Sequence, residues 1–429
     1  MVPKDATLSP TAALAPDARA APGRASPSEV LLGAEPATVR NLAAEHGTPM
    51  LLLSTRVARR QYRALTQALP GVDVHYSMKP LPHAAVVRAL RDEGAGFDLA
   101  SAGEVDLARV LDVDPERCIH THPVKRDRDI RHALDFGCRT FVFDNPNELA
   151  KLEPYRQEVE LLLRISFPNP RAQCDLALKY GVAAGEALWL LGEAAAAGFA
   201  VRGLSFHVGS QVADPARFLA AIAACRGLFD LAELDGIALD TLDIGGGFPV
   251  PYLEPVSGIA DFCAPIAAAL EEQFPHARLI AEPGRFVSAP AMTLVSSVIG
   301  KAERQGCVWY YLDDGLYGSY SGKLFDRADY RLIPLADFEG AARPRRRSVV
   351  AGPTCDSIDV IAEGRLLSEM ERDDLLVSPM MGAYTAASAT DFHLFGRAKV
   401  VELCSGEEAP TTPSGPSPAR RTPDPVAAR

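Results

Sequence analysis

Eight short apolar runs, each followed by a helix-like stretch, constrain this chain more than any other feature. They are VDVHYS (72–77), FDLAS (97–101), CIHTH (118–122), TFVFD (140–144), ELLLRIS (160–166), LSFHVGS (204–210), LDIGGGF (242–248) and RLIAEPG (278–284). Segments between them, such as HAAVVRALRDEG and GEALWLLGEAAAAGF, read as helices. Eight strand–helix alternations are the count of a (β/α)8 barrel. An open, doubly wound sheet is the structural competitor, because counting strands does not prove closure.

The pattern changes near Pro290. MTLVSSVIG, GCVWYYLDD, SVVAGPT, DLLVSP and AKVVEL are β-rich and separated by turn residues, which predicts an antiparallel β-domain. MLLLS (50–54) offers a strand to that domain. The division is a disordered leader (1–27), a segment packing on the β-domain (28–49), a barrel (50–288), a C-terminal β-domain (289–404) and a disordered tail (405–429). Leader and tail are rich in Pro, Ala, Ser or Thr and offer little to bury.

Charge and cysteine usage exclude several functions. With 44 basic and 55 acidic residues the net charge is −11, which argues against a nucleic-acid or anionic-membrane surface. No run of about 18 apolar residues predicts a spanning helix, and the N-terminus lacks the apolar core of a secretory signal. None of the eight cysteines forms C-x-x-C, so zinc-ribbon and thioredoxin readings fail and no metal is expected. The expected location is the cytoplasm, with reduced thiols.

Chemistry-bearing residues gather where the β-runs end, the face on which barrel enzymes place their sites. Lys79 follows HYSM; it reads as a Schiff-base lysine with its pKa lowered by desolvation, or as a surface lysine. Asp98, His207 and Ser210 end other runs. Gly245, Gly246 and Gly247 follow the seventh run, and Gly284 and Arg285 the eighth, where barrels commonly hold phosphate. Glu282 suits a carboxylate that keeps a pyridine nitrogen protonated, or one that pairs with Arg285. Cys355 stands beside Asp356, whose charge favours a neutral thiol and hence a proton donor; a buried inert thiol is the alternative. Tyr384 offers a hydroxyl to a phosphate, or packs in the core.

YSMK, GFDLAS, FHVGSQ, DIGGGFP, AEPGRF, DDGLYGSYSG, GPTCDSID and MGAYTAAS, in this order over about residues 40–402, resemble the fold type III pyridoxal-phosphate decarboxylases of basic amino acids (the ornithine/diaminopimelate/arginine decarboxylase family), and within them ornithine decarboxylase most. The resemblance implies an alanine-racemase-type barrel plus β-domain, pyridoxal 5'-phosphate as cofactor and a homodimer with shared sites. It implies decarboxylation of a basic L-amino acid, ornithine to putrescine first, with lysine, both lysine and ornithine, or a pathway-specific diamino acid as alternatives and a non-catalytic regulatory homologue as the last. It makes Lys79 the Schiff-base lysine and His207 the ring-stacking histidine. Ser210, Gly245–Gly247, Gly284, Arg285 and Tyr384 become phosphate ligands, and Glu282 the ring-nitrogen partner. Asp98, Glu104 and Arg164 become supporting pocket residues. Cys355 becomes the proton donor, and Asp326 and Asp356 the carboxylates for the distal amine, with Cys355 and Asp356 supplied by the partner chain. Phe325 stands before Asp326 where that family often has Tyr.

Overall fold

The computed structural model describes residues 26–169 and 176–403. The expected tail, most of the expected leader, Cys174 and Cys404 lie outside those residues. Strand β1 (Met50–Leu53) comes first. Then follow β2 (Val72–Ser77), β3 (Gly96–Leu99), β4 (Cys118–His120), β5 (Thr140–Phe143), β6 (Glu160–Ile165), β7 (Ala200–Phe206), β8 (Thr241–Asp243) and β9 (Arg278–Ala281). These eight, β2 to β9, form a closed parallel barrel. Closure comes from β2 pairing with β9, Val72 opposite Leu279, so the barrel wins over the open sheet. Helices cover its outside, so its strands are apolar on both faces. Leu161, Leu162 and Leu163 are all fully buried in β6.

The second sheet is built from β1, β10 (Met292–Arg304), β11 (Cys307–Leu312), β12 (Ile333–Pro334), β13 (Arg345–Ala351), β14 (Val360–Ser368), β15 (Leu375–Pro379) and β16 (Lys399–Glu402). It is mixed rather than purely antiparallel, because β1 pairs parallel with β16 and β11 parallel with β13. Met50–Leu53, which the sequence division assigns to the barrel, pairs antiparallel with β10. Its four buried apolar side chains suit a central strand with neighbours on both edges. The barrel is therefore inserted between two adjacent strands of the sheet. β14 has no counterpart among the expected strands, because Glu363, Gly364 and Arg365 interrupt its apolar pattern.

The bottom of the barrel is stitched by charge. Asp73 on β2 accepts hydrogen bonds from Arg117 at 2.8 and 3.2 Å, and Arg278 reaches it at 3.4 Å. His75 Nε2 lies 3.1 Å from Asp73 Oδ2, and the His75 ring is fully buried against Gly96. A Cβ at Gly96 would stand 2.6 Å from three atoms of that ring. Gly96→Ala is therefore expected to cost about 1–3 kcal/mol through overpacking. A urea titration checks this, and an unchanged midpoint would contradict it.

Candidate active site

The C-terminal end of β2 and the loops after β2, β7, β8 and β9 converge on one cleft of about 330 Å³. β2 ends at Ser77, and the buried Met78 anchors the turn that presents Lys79. Lys79 Nζ donates to Asp98 Oδ2 at 3.0 Å. Asp98, at the end of β3, is buried and also accepts from Ser77 Oγ at 2.7 Å and from Thr121 Oγ1. Burial alone would raise the Asp98 pKa; Lys79 and the two hydroxyls outweigh it and hold the carboxyl below its usual range. Lys79 departs from the expectation. Desolvation does push its pKa down, but Asp98 first and Glu282 second reverse this, so the amine is more basic than a free lysine.

His207 follows β7. Burial, with Arg164 and Lys79 adding positive field, pushes its pKa down to about 3, so the ring is neutral. Its Nδ1 accepts the Gly209 N–H at 3.0 Å. The triple-glycine loop follows β8. A Cβ at Gly245, Gly246 or Gly247 would lie 2.2, 2.6 or 2.3 Å from the carbonyl oxygens of Phe206, Glu282 and Gly209. Only glycine lets this backbone sit so tightly between the loops after β7 and β9. Gln211 clamps the loop after β7 to the loop after β8, donating to Val250 O at 2.9 Å and accepting from Val250 N at 2.8 Å.

Arg285 begins the short helix after β9. Its guanidinium donates to Tyr252 OH at 2.8 Å and Ser210 Oγ at 2.9 Å, forms an ion pair with Asp326, and lies 5.0 Å from the Tyr384 ring centre. Its ion-pair partner is thus Asp326 rather than Glu282. Glu282 is buried, and its carboxyl pKa is raised well above the usual range by that burial, then by Asp243 and Asp98.

Of the residues singled out in the sequence, Lys79, His207, Ser210, Gly246, Gly247, Glu282, Gly284, Arg285, Phe325, Asp326 and Tyr384 line this cleft. Gly245 lies behind it and Asp98 beneath Lys79. Glu104 is a helix cap: Ser101 Oγ accepts its N–H at 3.3 Å, and its Oε2 accepts the Ala100 N–H at 2.6 Å. Burial, partly offset by that hydrogen bond, pushes the Glu104 pKa up to about 7. A carboxyl that is more basic folded than unfolded stabilises below the unfolded pKa, and that stability is lost as pH rises through the folded value. Glu104→Gln is expected to remove this component of the loss between about pH 4.5 and 7. Urea midpoints across that range check it, and parallel curves for parent and variant would contradict it. Arg164 lies on β6, 5.5 Å from the Tyr180 ring centre and off the cleft. Cys355 is exposed, and Asp356 accepts a hydrogen bond from Tyr317 OH. Neither lines the cleft of its own chain.

The family model described as "Pyridoxal-dependent decarboxylase, pyridoxal binding domain" matches residues 55–289. This chain belongs to the pyridoxal-dependent decarboxylases. The decarboxylase is 38% identical over 359 residues to a lysine/ornithine decarboxylase of Selenomonas ruminantium, covering 83% of this chain and 90% of the relative. It is 49% identical to the crystallised lysine/ornithine decarboxylase of Vibrio vulnificus complexed with putrescine, with a TM-score of 0.81 over 86% of this chain and 98% of that one. A solved structure of SrLDC in complex with PLP and cadaverine is 35% identical, with a TM-score of 0.81, and covers 86% and 94%.

Pyridoxal phosphate is the cofactor, and the cleft of this decarboxylase fits it. Arg285, Ser210 and the glycine loop line one side of the cleft, with the charge and backbone donors that could hold a phosphate there. Glu282 Oε1 is buried and has no hydrogen-bond partner, as a carboxyl awaiting a ring-nitrogen donor would be. Lys79 presents an amine to the same cleft. Sequence reasoning missed Ser77, Thr121, Gln211, Tyr252 and Asp243. Ser77 and Gln211 stood inside quoted motifs, and Tyr252 shortly follows the glycines. Asp243 opened the quoted DIGGGFP motif, yet an acid there reads only as the end of a strand.

Proposed function

We propose that this enzyme decarboxylates a basic L-amino acid, L-ornithine first, giving putrescine and CO2, as a homodimer whose two chains complete each site. The observation that carries the reading is a carboxylate, Asp326, on the wall of the cleft that holds Lys79. A free distal ammonium would form charge-assisted hydrogen bonds there. The exposed Cys355, with Asp356 beside it, lies away from its own cleft, which supports their service in a partner's site. Free thiols at all six described cysteines support a cytoplasmic setting. Among the described residues, no helix is long and apolar enough to cross a membrane.

Bound pyridoxal phosphate supplies an aldehyde that captures amines and a ring that accepts the electron pair of the breaking Cα–carboxylate bond. Lys79 must lose a proton to act as a nucleophile, and Asp98, 3.0 Å away, is the acceptor in contact. The neutral His207 adds no positive charge beside a cationic ring. Ser210 and Arg285 hold the phosphate, Asp326 and the partner's carboxylate hold the distal amine, and the partner's thiol returns a proton to Cα. Lysine is the second reading, supported by the lysine/ornithine names of both closely similar relatives; one methylene is worth only about 1–3 kcal/mol of discrimination. A CO2-release panel with ornithine, lysine, arginine and diaminopimelate tests the proposal. Ornithine is expected to have the highest kcat/KM. Release from none of the four by cofactor-loaded enzyme would overturn it.

A further inference from the structure

We propose that Asp326 serves two cations in turn, Arg285 and the substrate's distal ammonium, so that the cofactor's phosphate and the diamino acid each strengthen the other's binding. This rests on the reading of Arg285 as a phosphate ligand and of Asp326 as the distal-amine carboxylate. Asp326 closes the short helix Gly322–Phe325 of the second domain, its N–H donating to Gly322 O at 2.9 Å. Its carboxylate forms an ion pair with the guanidinium of Arg285 at the barrel mouth. Both residues line the cleft and both are buried, Arg285 being 6% and Asp326 7% exposed.

The edge of Arg285 that Asp326 occupies is the one a phosphate needs. Nη1 donates to Tyr252 OH at 2.8 Å. Nη2 serves both Asp326 and Ser210 Oγ, the latter at 2.9 Å. Nε is buried and has no hydrogen-bond partner, which leaves the Nε–Nη2 edge for an anion bound by two donors. An anion held jointly by Ser210 and Arg285 therefore comes to Nη2, where Asp326 sits. A phosphate and a carboxylate on one nitrogen repel each other in a site with little water. Asp326 is a competitor of phosphate for Arg285.

Removing one member of a buried ion pair is costly because it strands the other charge. Phosphate alone takes Arg285 and strands Asp326. A distal ammonium alone takes Asp326 and strands Arg285. The two ligands together exchange one internal pair for two pairs with ligands and strand neither group. Their bindings are therefore positively coupled, and by linkage the factor is the same from either side. An amino acid with a neutral side chain brings no replacement for Arg285, so the exchange adds to the selection of a basic substrate.

Calorimetry on the full-length enzyme, dialysed free of cofactor, tests the coupling. The probe is pyridoxine 5'-phosphate, which has the ring and the phosphate but no aldehyde to react with amines. Saturating putrescine should tighten its binding to wild type by about tenfold, a usual size for coupling between sites, and should leave unphosphorylated pyridoxine unaffected. Asp326→Asn should bind the probe alone about tenfold more tightly than wild type does, and putrescine should then add little. Weaker binding of the probe to Asp326→Asn would overturn the proposal, because Asp326 would then be orienting Arg285 for phosphate. A wild-type affinity that putrescine leaves unchanged would overturn it too, and that comparison needs no variant to fold. Two other results would sink the underlying reading instead. A probe affinity unmoved by Arg285→Gln would take Arg285 off the phosphate. A putrescine affinity unmoved by Asp326→Asn, in protein saturated with the probe, would take Asp326 off the amine.

Discussion

Lys79→Ala is expected to lower CO2 release by about a thousandfold or more, because it removes the one lysine amine among the described residues lining this cleft. Two further observations should accompany the loss. Long-wavelength absorbance of the purified protein should fall to that of loosely held pyridoxal phosphate. Borohydride reduction followed by peptide mapping should mark residue 79 in the parent and no lysine in the variant. Thermal stability should fall modestly. Lys79 is 41% exposed to the cleft, and its removal frees Asp98 from one of three partners while Ser77 and Thr121 remain. An alanine variant that still turns substrate over at the parental rate would overturn the assignment.

A second large effect comes from mixing subunits. Asp356→Ala alone is expected to raise KM for the diamino acid steeply, by about 2–5 kcal/mol of lost ion pairing, while leaving cofactor absorbance intact. Lys79→Ala and Asp356→Ala homodimers are then each inactive at low substrate. Random reassortment of the two should restore about a quarter of the parental activity, because half the dimers are mixed and each mixed dimer rebuilds one of its two sites. No recovery after subunit exchange, verified by tagged copies, would mean that Asp356 serves its own chain.

Much of this architecture was legible in the residues. Closely packed parallel strands are buried on both faces, so most of the barrel strands appear as short, largely apolar runs followed by a polar group or glycine. That ending also gave the cleft, since the loops that carry Lys79, His207, Gly246 and Glu282 all follow strands. What was hidden lies in partnerships across loops. The charge state of Lys79 depends on Asp98, nineteen residues away on another strand, and proximity of that kind leaves no spacing signal. The family resemblance implied a pocket role for Glu104, yet its side chain turns back to cap its own helix. Asp326 was identified as a substrate carboxylate, while its contact with Arg285 arises only because the second domain brings it to the barrel mouth. β14 escaped because a half-exposed strand need not be apolar on its outer face.

The placement of β1 has a consequence for biosynthesis. Its partners β10 and β16 are translated only after every strand of the barrel. Until then, a four-residue apolar segment waits with its backbone donors and acceptors unmatched. The last strand to emerge is the one that shields it, so a chain cut short before Lys399 would display an adhesive edge, and the cell's quality-control machinery would meet it there.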